Sequence, residues 1–230
     1  MTRTRVKFCG LVRPQDVDAA VAIGADAIGF VFYPRSPRLL DPAAAMALRR
    51  RLPSWVTSVG LFVNEAPAEI DRVVVQVGLD VVQLHGDESA AAAKALRTVW
   101  WKAIRVGGTG SIEVAGAADA TQAADAVRRS IVQSLDEYRG AEFCLLDSFS
   151  PGFGGSGMTF DWSLVPGDAG RRLIMSGGLD AGNVGAAIAS VAPFAVDTSS
   201  GIQAQDPRRK DLGRMEQFME AVRRADGREQ

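Results

Sequence analysis

Eight times along the chain a short apolar run gives way to a longer segment in which apolar residues recur at helical spacing. Runs of this length suit strands buried on both faces of a parallel sheet, and parallel strands need crossovers, which the helical segments supply. The runs fall at 5–9, 27–32, 57–63, 81–84, 101–106, 142–146, 173–175 and 194–196. Pro14 suits a first helical turn, Asp41 before Pro42 reads as a cap followed by proline, and Ala66-Pro67 and Asp87-Glu88 open the third and fourth helices. These four helices are expected to run to about Ile23, Leu52, Val77 and Thr98. In the second half, helices are expected over 121–138, 181–191 and 211–225, with a short turn near 160–164.

Eight βα units in 230 residues leave about 29 residues per unit, close to what a (β/α)8 barrel of about 250 residues requires. The predicted fold class is therefore α/β, a (β/α)8 TIM barrel forming one domain over 1–230. A doubly wound open sheet would usually carry G-x-G-x-x-G after its first strand, and none stands there. The Gly/Ala-rich stretch 107–124 reads as a long solvated loop after the fifth strand.

Composition narrows the function. A content of 47% hydrophobic and 23% charged residues excludes disordered, collagenous and membrane classes, and a net charge of -1 offers no field for a nucleic acid or membrane surface. No run approaches the roughly 18 apolar residues of a membrane span, and the first residues lack a signal-peptide core; a cytoplasmic location is expected. Cys9 and Cys144 each sit in an apolar run without a neighbouring Cys or His, which suits reduced thiols and neither a disulfide framework nor a metal site. The expected partner is a small molecule, and a monomer is the favoured state.

A parallel barrel forms its active site at the carboxyl ends of its strands. The residues there are Cys9-Gly10, Arg35 and Arg38, Asn64, His85-Gly86, Arg105, Asp147, Gly177-Gly178, and Asp197 with Ser199-Ser200-Gly201. A lone strand-end cysteine is more often core than catalyst, and a Gly-Gly turn alone is more often a simple turn; their joint placement shifts both readings. The stretches S-G-G-L-D-A-G-N-V and V-D-T-S-S-G-I offer backbone amides that small residues let approach an oxyanion, after strands seven and eight, where this fold frequently binds phosphate. Strands six and one flank that pair, so Asp147 and Cys9 should face each other across a phosphate-anchored substrate, one group donating and one abstracting a proton. His85, the sole histidine, reads equally well as a satisfied pocket-wall residue. Activation of a thiol needs cations or dipoles; Lys7 is expected on the opposite face of its strand from Cys9. The glycine-rich stretch 148–157 reads as a lid.

Across nearly its whole length the chain resembles the phosphoribosylanthranilate isomerases. The likeness rests on V-K-F-C-G-L-V-R-P, G-A-D-A-I-G-F-V-F-Y-P-R-S-P-R, G-L-F-V-N, V-V-Q-L-H-G, L-L-D, G-G-S-G-M-T-F-D-W, S-G-G-L-D-A-G-N-V and F-A-V-D-T-S-S-G-I. It implies a cofactor-free, metal-free Amadori rearrangement of an aminoaldose phosphate in tryptophan synthesis. Cys9 then resembles the general base, Asp147 the general acid and Arg38 the partner of the anthranilate carboxylate. Gly177, Gly178, Ser200 and Gly201 resemble phosphate anchors, with Asp197 near the sugar hydroxyls. The segment 107–140 is expanded relative to shorter members. One rival is the related isomerase of histidine synthesis, which takes two phosphates; the first half of this chain lacks a second Gly-Gly cradle. The other is a catalytically silent sugar-phosphate-binding barrel, which the pairing of Cys9 with Asp147 disfavours.

Overall fold

A computed structural model of the chain describes residues 3–107, 120–148, 159–167, 169 and 172–227. Its strands are β1 (Arg5–Cys9), β2 (Ala27–Val31), β3 (Thr57–Phe62), β4 (Val81–Leu84), β5 (Trp100–Val106), β6 (Cys144–Ser148), β7 (Leu173–Met175) and β8 (Ala195–Thr198). All pair in parallel and in chain order, and β8 returns to pair with β1, closing the barrel. The helices are α1 (Pro14–Ile23), α2 (Pro42–Arg49), α3 (Pro67–Val77), α4 (Ala90–Lys94), α5 (Ala120–Glu137), α6 (Val184–Val191) and α7 (Leu212–Ala225), with a 3-10 turn, Trp162–Leu164, between β6 and β7.

The helix ends follow local chemistry. Proline stands in the first turn of α1, α2 and α3, where its missing N–H costs nothing. Asp41 accepts from the Ala44 amide and Asp211 from the Arg214 amide, each satisfying a first-turn donor. Gly24 and Gly78 end α1 and α3 in the left-handed conformation, at φ of 98° and 76°, which a Cβ would strain.

Three helices are shorter than their sequence suggests. α2 stops at Arg49 rather than Leu52, where the Arg51 and Leu52 amides turn to the carbonyls three residues back, Leu48 and Arg49. Instead of reaching from Asp87 to Thr98, α4 has five residues. Its expected first turn is held elsewhere: Asn64 Oδ1 accepts from the Asp87 amide, and Glu88 turns inward to Lys102 Nζ at 2.8 Å, so Ser89 becomes the cap. Beyond Lys94 the Arg97 amide is drawn to Asp71 on α3. In α6 the three residues expected first form a turn in which Asp180 Oδ1 accepts from the Gly182 and Asn183 amides. The stretches 108–119 and 149–157, which include most of the expected loop and lid, lie outside the described residues.

Strand period divides each strand between two cores. Outward residues such as Phe8, Phe30, Val82, Leu146 and Val196 pack beneath the helices, and Phe8 meets Phe218 of α7 edge to face at 6.0 Å. The barrel interior is filled at its amino-terminal end by Ala27, Val59, Val81, Leu145, Ile174 and Ala195 among others. Above this layer the interior turns polar, with Lys7, Gln83 and Asp197 all buried. Apolar packing below and polar groups above aim the chemistry at the carboxyl ends of the strands.

Candidate active site

A cleft opens at that end of the barrel, lined by Cys9, Arg38, His85, Asp147, Gly177 and Asp197, together with Gly178 and Ser200. Most strand-end candidates therefore share one space, Arg35 included. Asn64 and Arg105 are instead engaged with Asp87, by hydrogen bond and ion pair respectively. Gly201 follows Ser200 in a 3-10 turn, Ser200–Ile202, against β7's following loop: a Cβ there would lie 2.1 Å from the Leu179 carbonyl.

Cys9 ends β1 facing inward, opposite Gly29 of β2. A Cβ on Gly29 would fall 2.6 Å from the cysteine sulfur, so the glycine makes the room that Cys9 occupies. Lys7 does not face away, as its strand position was expected to require. It stands two residues before Cys9, and side chains two apart share a face, so both enter the barrel. Lys7 is 2% exposed and its Nζ lies 2.8 Å from Asp197 Oδ1. Burial pushes the Cys9 thiol up from its ordinary value; Lys7 opposes this most strongly, Asp197 reinforces it, and Lys210 opposes it more weakly. Burial alone would lower Lys7, but Asp197 and the Cys9 sulfur outweigh it and the net shift is upward.

Asp147 lies inside β6 rather than beyond it, because the strand starts and ends two residues later than its apolar run. Its Oδ2 is 2.9 Å from His85 Nε2, and His85 Nδ1 is 2.9 Å from Gln83 Nε2. An amide N–H donated to Nδ1 leaves the ring proton on Nε2, directed at the carboxylate. Gly177, at φ 81°, sits against this carboxylate: a Cβ would lie 2.8 Å from Asp147 Oδ1 and 2.3 Å from the Ser148 nitrogen.

The loops after β7 and β8 form the other wall. Gly178 also has a positive φ, 64°, and Asn183 Nδ2 donates to its carbonyl at 2.9 Å, fixing the turn. Among the described residues no backbone acceptor takes the N–H of Gly178 or Gly201, which leaves both free for an anion. Arg38 reaches the cleft from the loop after β2. Its Nε donates to the Pro207 carbonyl at 3.2 Å and its Nη2 to Gln203 Oε1. Gly10, at φ 73°, allows this approach, since a Cβ would meet Arg38 Cδ at 2.4 Å. Burial lowers the Arg38 guanidinium from its ordinary value, countered by Cys9.

Lys7, which the sequence reading set on the wrong face, is joined by three residues it passed over, Gln83, Ser176 and Lys210. Each of the first three stands two positions before a candidate or at a strand end, so a polar residue at alternate positions of an apolar run was the available signal. Lys210 carried none: it lies beyond β8 and folds back to place Nζ 2.8 Å from the Ser199 carbonyl. Among the described residues no three His, Cys, Asp or Glu side chains gather to hold a metal ion, and no described helix is long and apolar enough to cross a membrane.

Comparisons with known proteins agree with this geometry. The family model for N-(5'-phosphoribosyl)anthranilate (PRA) isomerase matches residues 6–221. The N-(5'-phosphoribosyl)anthranilate isomerase of Bordetella petrii is 46% identical over 230 residues, covering 98% of each chain. The crystal structure of phosphoribosyl anthranilate isomerase from Thermotoga maritima superposes with a TM-score of 0.81 at 39% identity, covering 97% of this chain and 99% of that one. A further isomerase structure, in complex with reduced 1-(o-carboxyphenylamino)-1-deoxyribulose 5-phosphate, gives a TM-score of 0.78 at 37% identity over 97% and 99%. A barrel of this order, with its thiol, carboxyl and glycine turns in one cleft, and relatives of that name along nearly the full length place the chain in the N-(5'-phosphoribosyl)anthranilate isomerase family, whose reaction in tryptophan biosynthesis it performs.

Proposed function

We propose that Cys9 is the general base and Asp147 the general acid of this isomerisation. Asp147 gives a proton to the furanose ring oxygen, the C1–O bond breaks, and the nitrogen lone pair forms the Schiff base. The Cys9 thiolate then takes the C2 proton, and the electrons of that C–H bond form the enolamine, which tautomerises to the ketone. Gly177, Gly178, Ser200 and Gly201 hold the phosphate through backbone amides and a hydroxyl. Arg38 pairs with the anthranilate carboxylate, and Asp197 lies near the sugar hydroxyls. No step needs a metal or redox cofactor.

The observation that carries this reading is the order of the strands. β7 and β8, which bear the glycine turns, lie between β6 and β1 in the ring, so a phosphate held there presents its sugar to Asp147 from one side and Cys9 from the other. All the proposed groups come from one barrel, which supports a single chain as the working unit. The two unbridged cysteines support a reducing, cytoplasmic location.

The test follows the loss of substrate fluorescence as phosphoribosylanthranilate is consumed. Cys9→Ala and Asp147→Asn should each reduce kcat by about 10²-fold or more while substrate binding persists. Near-normal kcat in either variant would remove that residue from its role, and a silent wild-type chain would leave only a sugar-phosphate-binding barrel.

A further inference from the structure

We propose that Lys7 is the positioning residue that makes Cys9 a base: its ammonium, fixed by Asp197 inside the barrel on the face of β1 that carries the thiol, favours the thiolate. The inference rests on the reading of Cys9 as general base.

Lys7 and Cys9 leave the same strand on the same side, into a space where both are almost fully buried. Asp197 fixes the ammonium from β8, Oδ1 to Nζ at 2.8 Å, and is itself held on its other oxygen by Ser176 Oγ at 3.2 Å. Such a pair is a poor choice for stability alone, since desolvating two charges offsets their attraction and apolar residues of equal volume would serve as well. Its position, directly beneath the thiol, gives it another use. A buried thiolate is disfavoured by lost hydration, and a fixed cation close by opposes that loss.

Every charged group facing the sulfur bears on this. From β1 comes Lys7, from β8 Asp197, from the segment before α7 Lys210, and from the loop after β2 Arg38. Gly29, Val31 and Leu61 also pack against Cys9, and Ser199 Oγ donates to its carbonyl at 2.9 Å. Of the three cations only Lys7 leaves the same strand on the same side as Cys9, and it opposes the rise of the thiol most strongly. Lys210 and Arg38 are tied to other acceptors, the Ser199 carbonyl for one and the Pro207 carbonyl and Gln203 for the other. Asp197 works against the thiolate, so Lys7 both screens that carboxylate and stabilises the sulfur.

The experiment uses a Cys144→Ala background, which leaves Cys9 as the sole thiol, and follows thiolate absorbance against pH together with iodoacetamide alkylation at neutral pH. In Lys7→Met the titration midpoint should rise and alkylation slow by about tenfold or more, because below the midpoint each unit removes a factor of ten in thiolate. The ascending limb of the kcat/KM profile should move to higher pH by the same interval, with activity partly recovered there. Since Lys7→Met leaves Asp197 buried and unpaired and could unfold, Lys7→Met/Asp197→Asn is compared with Asp197→Asn alone, which keeps one pairwise difference in Lys7 with no orphaned carboxylate. An unmoved or lowered midpoint in either comparison, with activity lost equally at all pH, would reduce Lys7 to a structural role and overturn the proposal. Should the midpoint rise while Cys9→Ala still turns over substrate, the coupling would stand and the base assignment would fall.

Discussion

His85 Nε2 lies 2.9 Å from Asp147 Oδ2, joining the carboxyl ends of β4 and β6 across the β5 strand that separates them. The contact fixes one carboxyl oxygen and leaves Oδ1 toward Gly177 and the cleft. When Asp147 gives up its proton, the Nε2–H bond strengthens as the carboxylate forms, which favours transfer. Removal of the ring in His85→Ala should therefore lower kcat by about tenfold to a hundredfold, less than loss of the acid itself. KM should change little. Gln83→Leu should show the same pattern more weakly, because it releases the tautomer without removing the ring. Turned over, the Gln83 amide would bring its buried, unpartnered Oε1 to an Nδ1–H and let Nε2 accept from a protonated Asp147. Steady-state kinetics of both variants check this; a change confined to KM would make His85 a binding residue.

Arg38 is pre-set by Gln203 and Pro207. A guanidinium bound to a carboxylate remote from the reacting carbons contributes similarly in the ground and transition states, so Arg38→Ala should raise KM and spare kcat. A hydrogen bond between charged groups contributes about 1.5–3 kcal/mol, or about tenfold to a hundredfold in KM. Competition by free anthranilate offers a second readout, and its inhibition constant should rise in parallel. Equal KM in variant and wild type would relocate the carboxylate site.

The barrel was legible because its period is coarse: each apolar run marks a strand whatever its exact limits. Boundaries moved by one or two residues, and at β6 and β8 that shift matters. It brings Asp147 and Asp197 inside strands, where neighbours on both sides fix their direction. Cys9, Asp147 and the glycine turns could be read from sequence because topology alone sends the strand ends to one face. Their supporting groups could not. Ser176 matters only through Asp197 on another strand, Gln83 matters only because its neighbour His85 meets Asp147 across the barrel, and Lys7 was lost through its face, a two-residue spacing read as one.

Gly29 offers a test of how tightly Cys9 is seated. Gly29→Ala would set a methyl 2.6 Å from the sulfur and 3.1 Å from the Cys9 Cα. The sulfur can rotate but the backbone cannot, since Gly29 accepts from the Gly10 amide at 2.9 Å and holds the two strands in register. Overpacking of this kind costs about 1–3 kcal/mol, which thermal unfolding should record as a lower Tm. The displaced thiol should also cut kcat without raising KM in proportion. A variant with native Tm and kcat would show that β1 and β2 move apart freely.

Lys210 predicts a pH dependence of stability. Burial lowers it, Arg38 lowers it further, and Cys9, Asp197 and Asp16 only partly compensate, leaving it at about 7 against 10.5 for the free side chain. Between those values the unfolded chain keeps a proton that the folded chain has released, so the unfolded state binds more protons and stability rises with pH across that window. Below about 7 the folded protein must hold a buried ammonium, for which the Ser199 carbonyl at 2.8 Å and Ser199 Oγ at 3.3 Å are the acceptors. Lys210→Met abolishes this one titration while filling the same space. Thermal unfolding of wild type and variant at a series of pH values from slightly acidic to mildly alkaline isolates it, because groups that do not interact with Lys210 cancel in the difference. The variant should be the more stable near pH 6 and lose that advantage as the pH rises, since the wild type gains stability through the window. A difference in Tm that stays constant across the series would mean that Lys210 keeps its charge in the folded protein, with Asp16 and Asp197 outweighing burial.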